Sequence, residues 1–189
     1  MKGRELVIGV TGGIAAYKTA ALVSQLVQAG AGVSVVMTAS ALEFVGAATF
    51  EALSGRPVLT GVFRETGHPL GAHINLAEQA ELLCVAPATA NFLAKAAGGL
   101  ADDLLTTLVL SFSGKLLVAP AMNCQMWAKR AVQRNVDQLR ADGAIVIDPE
   151  EGWLSCRQQG AGRMASPERI RAVIAEALGQ PKNDGLEVS

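Results

Sequence analysis

Aromatic residues are scarce in this chain of 189 residues, at 4%, and charged residues are few as well, at 17% with a formal net charge of −1. Without a basic excess, bulk electrostatics gives no reason to expect nucleic acid or a charged membrane surface as partner. No apolar run is long enough to span a bilayer. Met1-Lys2-Gly3-Arg4-Glu5 leads straight into a strand pattern, so no signal peptide is expected. The three cysteines, Cys84, Cys124 and Cys156, stand too far apart for a disulfide framework or a zinc site, and no metal centre is expected. A reduced, cytoplasmic protein follows from these absences. Half of the residues are apolar, enough for one domain with a real core over residues 1–180, followed by a polar tail at 181–189.

Residues 5–10 read as a short apolar strand that Thr11-Gly12-Gly13 breaks. From Ile14 the period turns helical, with Ala20, Leu22, Val23, Leu26 and Val27 as an apolar stripe. Further strands are predicted at 32–37, 82–86, 115–119 and 144–147. Helical patterns lie between them, a short pair at 41–53 and others at 92–97, from 101 and at 132–141. Ser166-Pro167-Glu168-Arg169 opens the last helix with a cap and an N1 proline. Residues 58–69 read as a loop, and 149–163, with glycines at 152, 160 and 162, as a flap. Alternating strands and helices imply an α/β protein with a three-layer, doubly wound parallel sheet, Rossmann-like or flavodoxin-like.

In such sheets ligands sit beyond the carboxyl ends of the strands. Four unusual segments fall there: Thr11-Gly12-Gly13, Thr38 to Ser40, Pro87 to Asn91 and Pro120 to Asn123. A strand, a glycine turn and a helix N-terminus make an anion site, because free N–H groups converge where the helix dipole is positive. Two known phosphate loops do not fit this turn. Gly12 has the P-loop offset from Lys18-Thr19, but Tyr17 replaces the second glycine; Gly9, Gly12 and Gly13 do not give the dinucleotide spacing. An ordinary β–α turn without a ligand stays open on these residues alone.

The same segments resemble the flavin-dependent cysteine decarboxylases. Thr11-Gly12-Gly13-Ile14-Ala15-Ala16-Tyr17-Lys18, His73-Ile74-Asn75-Leu76-Ala77, Ala86-Pro87-Ala88-Thr89-Ala90-Asn91, Ala101-Asp102-Asp103-Leu104-Leu105-Thr106-Thr107 and Pro120-Ala121-Met122-Asn123 match in order. The likeness runs from about residue 5 to 178. It implies FMN, held by Gly12, Gly13, Ile14, Thr38, Ser40, Thr89, Ala90, Asn91, Phe92 and Ala121. It also implies a homotrimer or trimer-based dodecamer with cofactor and substrate between subunits. The implied reaction converts 4'-phosphopantothenoylcysteine to 4'-phosphopantetheine in coenzyme A biosynthesis. The cysteine side chain is oxidised to a thioaldehyde, CO2 leaves as the thiocarbonyl accepts its electrons, and the enethiolate is protonated and reduced. Two alternatives stand beside it: an oxidative decarboxylase of C-terminal peptidyl-cysteine, and a catalytically silent flavin-binding regulatory subunit.

Within that resemblance His73 is the base, a role open to imidazole because it ordinarily titrates near about pH 6.5. On the residues alone it reads equally as a histidine capping a helix. Asn123, Met126 and Arg163 are implied as substrate-binding, Asn123 through its amide donors; a capping asparagine is the plain alternative. Cys156 is implied as the proton donor of the reductive step, in a stretch 154–164 that resembles the family's substrate flap. Arg157 and Arg163 near it favour a thiolate. The family's usual pattern has Ala before this cysteine, Gly after it and acidic residues next; here Ser155, Arg157, Gln158 and Gln159 stand instead. Cys84 and Cys124 are expected as small core residues, and His68 as a surface residue of a loop.

Overall fold

Five short strands run parallel: β1 (Glu5–Val10), β2 (Gly32–Met37), β3 (Leu82–Ala88), β4 (Lys115–Pro120) and β5 (Ile145–Val146). The structure is a computed structural model, and it describes residues 1–62, 71–153, 157 and 159–179. The sheet order is β2-β1-β3-β4-β5, the flavodoxin-like form of the expected doubly wound sheet. Winding reverses between β1 and β3, which opens a crevice at their carboxyl ends.

The strands are apolar nearly throughout because helices cover both faces. Leu6, Ile8, Val10, Leu82, Cys84 and Ala86 pack on one side with α1 (Ala16–Gln28), α3 (Ala47–Ser54) and α9 (Pro167–Ala177). Val7, Leu83, Val85 and Val118 face the other side, against α4 (Ala72–Gln79), α5 (Ala90–Ala97), α6 (Leu104–Ser111) and α8 (Arg130–Ala141). Two single-turn helices, α2 (Ala39–Leu42) and α7 (Cys124–Trp127), follow β2 and β4 at the crevice.

Local chemistry fixes several boundaries. The helix expected from residue 101 starts at Leu104, because Asp103 caps it: its carboxylate accepts from the Thr106 N–H at 2.8 Å, and Thr106 Oγ1 accepts from the Asp103 N–H at 3.2 Å. Ser166 accepts from the Arg169 N–H at 3.2 Å and Pro167 occupies the first turn of α9, as the sequence predicts. The third strand runs two residues beyond its expected end, through a cis Ala86–Pro87 bond and a register shift between Val85 and Ala88. There the carbonyls of Ala86 and Pro87 accept from Thr19 Oγ1 at 2.7 Å and Thr11 Oγ1 at 2.6 Å. Buried hydroxyls thus satisfy carbonyls that lie beyond the last β1–β3 pair.

The flap expected at 149–163 is in part regular. It contains an antiparallel pair, β6 (Glu150–Trp153) and β7 (Gln159–Arg163). Glycine there serves close approach: a Cβ on Gly162 would lie 2.3 Å from the Met122 carbonyl oxygen, and the Met122 N–H donates to the Gly162 carbonyl at 2.9 Å. This contact docks β7 beside the β4–α7 loop.

Cys84 is fully buried, as expected, and burial pushes its thiol up to about 12. Cys124 departs from expectation: it opens α7, half-buried, with Gly160 against its Cβ. Among the described residues no helix is long and apolar enough to cross a membrane, and no group of three potential metal ligands occurs. The tail 180–189 and His68 lie outside the described residues.

Candidate active site

A cavity of about 1030 Å³ opens over the carboxyl ends of β1 to β4. Its floor begins with Thr11, whose buried hydroxyl donates to the Pro87 carbonyl and accepts from the Thr89 N–H at 3.1 Å. One side chain therefore joins the β1 turn to the β3 turn. At Gly12 a Cβ would stand 2.3 Å from Ser40 Cβ, so this glycine lets the β1 and β2 turns touch. At Gly13 a Cβ would meet only Thr89 Cγ2 at 3.6 Å and Pro87 Cγ at 3.8 Å. Nothing in the protein forbids a side chain at Gly13; what it would enter is the cavity.

Among the described residues the N–H groups of Gly12, Ile14 and Ala15 have no hydrogen-bond partner, while Gly13 and Ala16 donate within the turn at 2.9 Å. Unpaired N–H groups at the start of α1 are a seat for negative charge. The hydroxyls that were candidates for capping are not spent on it. Thr38 is the N-cap of α2 without a side-chain cap bond, reaching only the Val10 carbonyl at 3.5 Å, and Ser40 makes no hydrogen bond among the described residues. Thr89 does cap α5, accepting from the Phe92 N–H at 3.3 Å.

On the opposite wall Asn123 caps α7, its Oδ1 accepting from the Gln125 N–H at 2.7 Å. Capping through the oxygen identifies Nδ2 as the donor end of the amide. The plain alternative for this asparagine holds, and the residue lines the cavity as well. Met126 and Trp153 add large exposed apolar surface at the rim.

All ten residues implied as cofactor contacts line this one cavity: Gly12, Gly13, Ile14, Thr38, Ser40, Thr89, Ala90, Asn91, Phe92 and Ala121. So do Asn123, Met126 and Arg163. His73 does not; it is the second residue of α4, half-buried, with Nδ1 enclosed and without a hydrogen-bond partner among the described residues. Cys156 lies outside the described residues.

Lys18, Lys95, Asp103, Thr106 and Trp153 also line the cavity and were not among the sequence candidates. Lys18, Asp103 and Thr106 sit inside the motifs, so for them the signal was present; Lys95 lies between two motifs, and Trp153 reaches the site through the β6–β7 pair. Lys95 is tied to Asp102 at 2.7 Å and to Asp103 at 3.4 Å, and its hydrogen bond to Asp102 raises its pKa. Lys18 is held below the usual lysine range, first by burial and then by the charge of Arg163.

A cavity that joins unpaired N–H donors, uncommitted hydroxyls and an open glycine face suits a phosphorylated, flat, largely apolar ligand. The Flavoprotein family model matches residues 1–179 of this chain. The chain belongs to that family. The bifunctional coenzyme A biosynthesis protein CoaBC of Bacillus subtilis is 48% identical over 187 residues, covering 99% of this chain and 46% of the relative. The CoaBC protein of Mycobacterium tuberculosis is 50% identical over 175 residues, covering 93% and 41%. This member of the Flavoprotein family therefore spans less than half the length of these curated relatives. Among solved structures, a PPC decarboxylase mutant complexed with pantothenoylaminoethenethiol aligns with a TM-score of 0.84 and 30% identity, over 95% of this chain and 100% of that one. The FMN-dependent cysteine decarboxylase SpaF aligns with a TM-score of 0.81 and 37% identity, over 93% and 98%. The family resemblance read from the motifs is borne out.

Proposed function

We propose that this chain is an FMN-dependent carboxy-lyase that converts 4'-phosphopantothenoylcysteine to 4'-phosphopantetheine in coenzyme A biosynthesis, in the cytoplasm. The observation that carries the reading is the single cavity at the β1/β3 crevice, which gathers every implied cofactor contact. Identity near one half to CoaBC proteins supports the substrate. When bound, FMN supplies a two-electron acceptor that later returns the same electrons, so the net change is loss of CO2.

The chain's own groups do the rest. Gly12 and Gly13 bring the backbone close to the cofactor, and Thr38 and Ser40 offer it hydroxyls. The Asn123 amide donates to the substrate carboxylate and orients it without fixing the negative charge there. The apolar rim, with Met126, limits access of water. His73 takes the proton from the substrate thiol. Since His73 does not line its own cavity, it acts in the cavity of a second copy, within the homotrimer or trimer-based dodecamer. Cys156 gives a proton to carbon in the reductive step.

Mass spectrometry of 4'-phosphopantothenoylcysteine after anaerobic incubation with the purified yellow protein tests this. Loss of CO2 alone is the expected result. Loss of CO2 plus two hydrogens would mean that the chain oxidises without reducing, which shifts the substrate to peptidyl-cysteine. No change in mass would leave a flavin-binding subunit without turnover.

A further inference from the structure

A glycine opens α4 where a capping side chain would be the ordinary choice. Gly71 is the N-cap of this helix, with φ 97° and ψ 136°, a conformation that residues with a Cβ rarely adopt. Ser, Thr, Asp or Asn at an N-cap satisfies an orphan N–H, and Gly71 gives that up. Backbone conformation is half of the reason. A Cβ at Gly71 would stand 3.0 Å from His73 Cε1 and 3.2 Å from His73 Nδ1, and the three nearest atoms all belong to that ring. At Gly55, Gly99 and Gly143, which also have positive φ, a Cβ would find nothing within 4 Å. Those glycines answer to the backbone alone; Gly71 answers to an imidazole as well. The ring occupies the space that a side chain at residue 71 would need. Its Nδ1 is enclosed there without a hydrogen-bond partner among the described residues, which leaves Nε2 as the outward nitrogen of a half-buried side chain. With no partner on Nδ1 to fix the ring, packing sets its direction.

The helix below the ring is anchored. Ala72 and Leu76 are buried in the core that Leu83, Val85, Leu105 and Leu108 share. A Cβ at residue 71 is therefore accommodated by turning the imidazole about its own side-chain bonds, at less cost than by moving α4. We propose that Gly71 is a positioning residue for the decarboxylation: the missing side chain sets the direction in which His73 presents Nε2 to the substrate. The catalytic part of this inference rests on the reading of His73 as the base, while the contact between Gly71 and the ring does not. A general base acts only from hydrogen-bond reach of the proton it takes, so a turned ring loses rate even though binding of substrate and flavin is untouched.

Gly71→Ala in the FMN-loaded full chain is the test, read in two ways. With 4'-phosphopantothenoylcysteine, kcat should fall roughly 10- to 100-fold while KM and bound flavin stay near their wild-type values. The second reading needs no turnover. The chain has two histidines, so nitrogen-15 imidazole spectra show two rings, and a His68→Gln sample assigns them. Gly71→Ala should shift the His73 ring signals. An unmoved ring, or an unchanged kcat with a displaced ring, would overturn the proposal. If Gly71→Ala folds poorly, adding His73→Ala should recover part of the lost melting temperature, because the ring is what the new Cβ meets; no recovery would place the whole cost in the backbone and overturn the proposal as well. A wild type that turns over no cysteine substrate, with a ring that still shifts in Gly71→Ala, would remove the decarboxylase reading and leave the placement of His73 by Gly71 standing.

Discussion

Gly13→Val is expected to fold and to lose its flavin. The two protein atoms nearest a Cβ at this position are at 3.6 and 3.8 Å, ordinary contact distances, so the added side chain does not collide with the protein. It enters the cavity where the cofactor is proposed to lie against the β1 turn. Flavin affinity should fall at least about 10-fold, a change of about 1.4 kcal/mol, while the melting temperature of the flavin-free chain stays within a few degrees. Gly12→Val is the contrasting variant. Its Cβ would stand 2.3 Å from Ser40 Cβ and 2.9 Å from the Ser40 carbonyl carbon, backbone that cannot swing away. Overpacking of this kind costs about 1–3 kcal/mol or more, which for a chain of this size lowers the melting point by roughly 2–12 °C. Flavin absorbance and thermal melts of the two proteins separate the roles. If Gly13→Val retained normal FMN affinity, the β1 turn would not be the seat of the cofactor.

His73→Asn should leave the protein yellow and abolish substrate oxidation. Its ring is absent from the cavity that gathers the flavin contacts, so removing it should not weaken FMN. Loss of a general base slows turnover by at least about 10²-fold. The informative form of the experiment is a mixture. Asn123→Asp keeps an N-cap oxygen for α7 but sets a carboxylate against the substrate's own, and should also be inactive. If His73 of one copy serves the cavity of the next, oligomers assembled from equal amounts of the two inactive chains regain about a quarter of the wild-type sites. No recovery from mixtures that do assemble would place His73 and its substrate on the same chain.

Much of the fold was legible because it rests on short-range patterns. Strands β1 and β2 follow from apolar runs ended by polar or glycine residues, and α9 from a serine cap followed by proline. The alternation of strands and helices carries the doubly wound sheet. The polar strand ends were legible as a site for a related reason: in a parallel sheet they fall on one rim, and of the implied site residues among the described ones all but His73 line one cavity.

What the sequence read least well depends on packing between distant segments. Gly160 and Gly162 suggest a loose loop, yet they let β7 press against Cys124 and Met122, and with that the hairpin sets Trp153 and Arg163 on the cavity. The extension of β3 to Ala88 needs Thr11 and Thr19, about seventy residues away in sequence, to take up the carbonyls at Ala86 and Pro87. Lys18 was visible in the motif, but its surroundings were not; a half-buried ammonium that feels Arg163 on one side and Glu150 and Glu168 on the other owes this to three-dimensional neighbours.

The sequence by itself determined the α/β class, the four strand ends that carry the site and the family whose motifs they match, because each depends on residues close in the chain. Only the tertiary structure decided which glycine the fold requires and which one faces open space. It alone kept His73 off the lining of the cavity and brought the Lys18 ammonium to the Met164 carbonyl, next to Arg163. Those outcomes depend on distances between segments far apart in the chain, and local propensity carries no record of them.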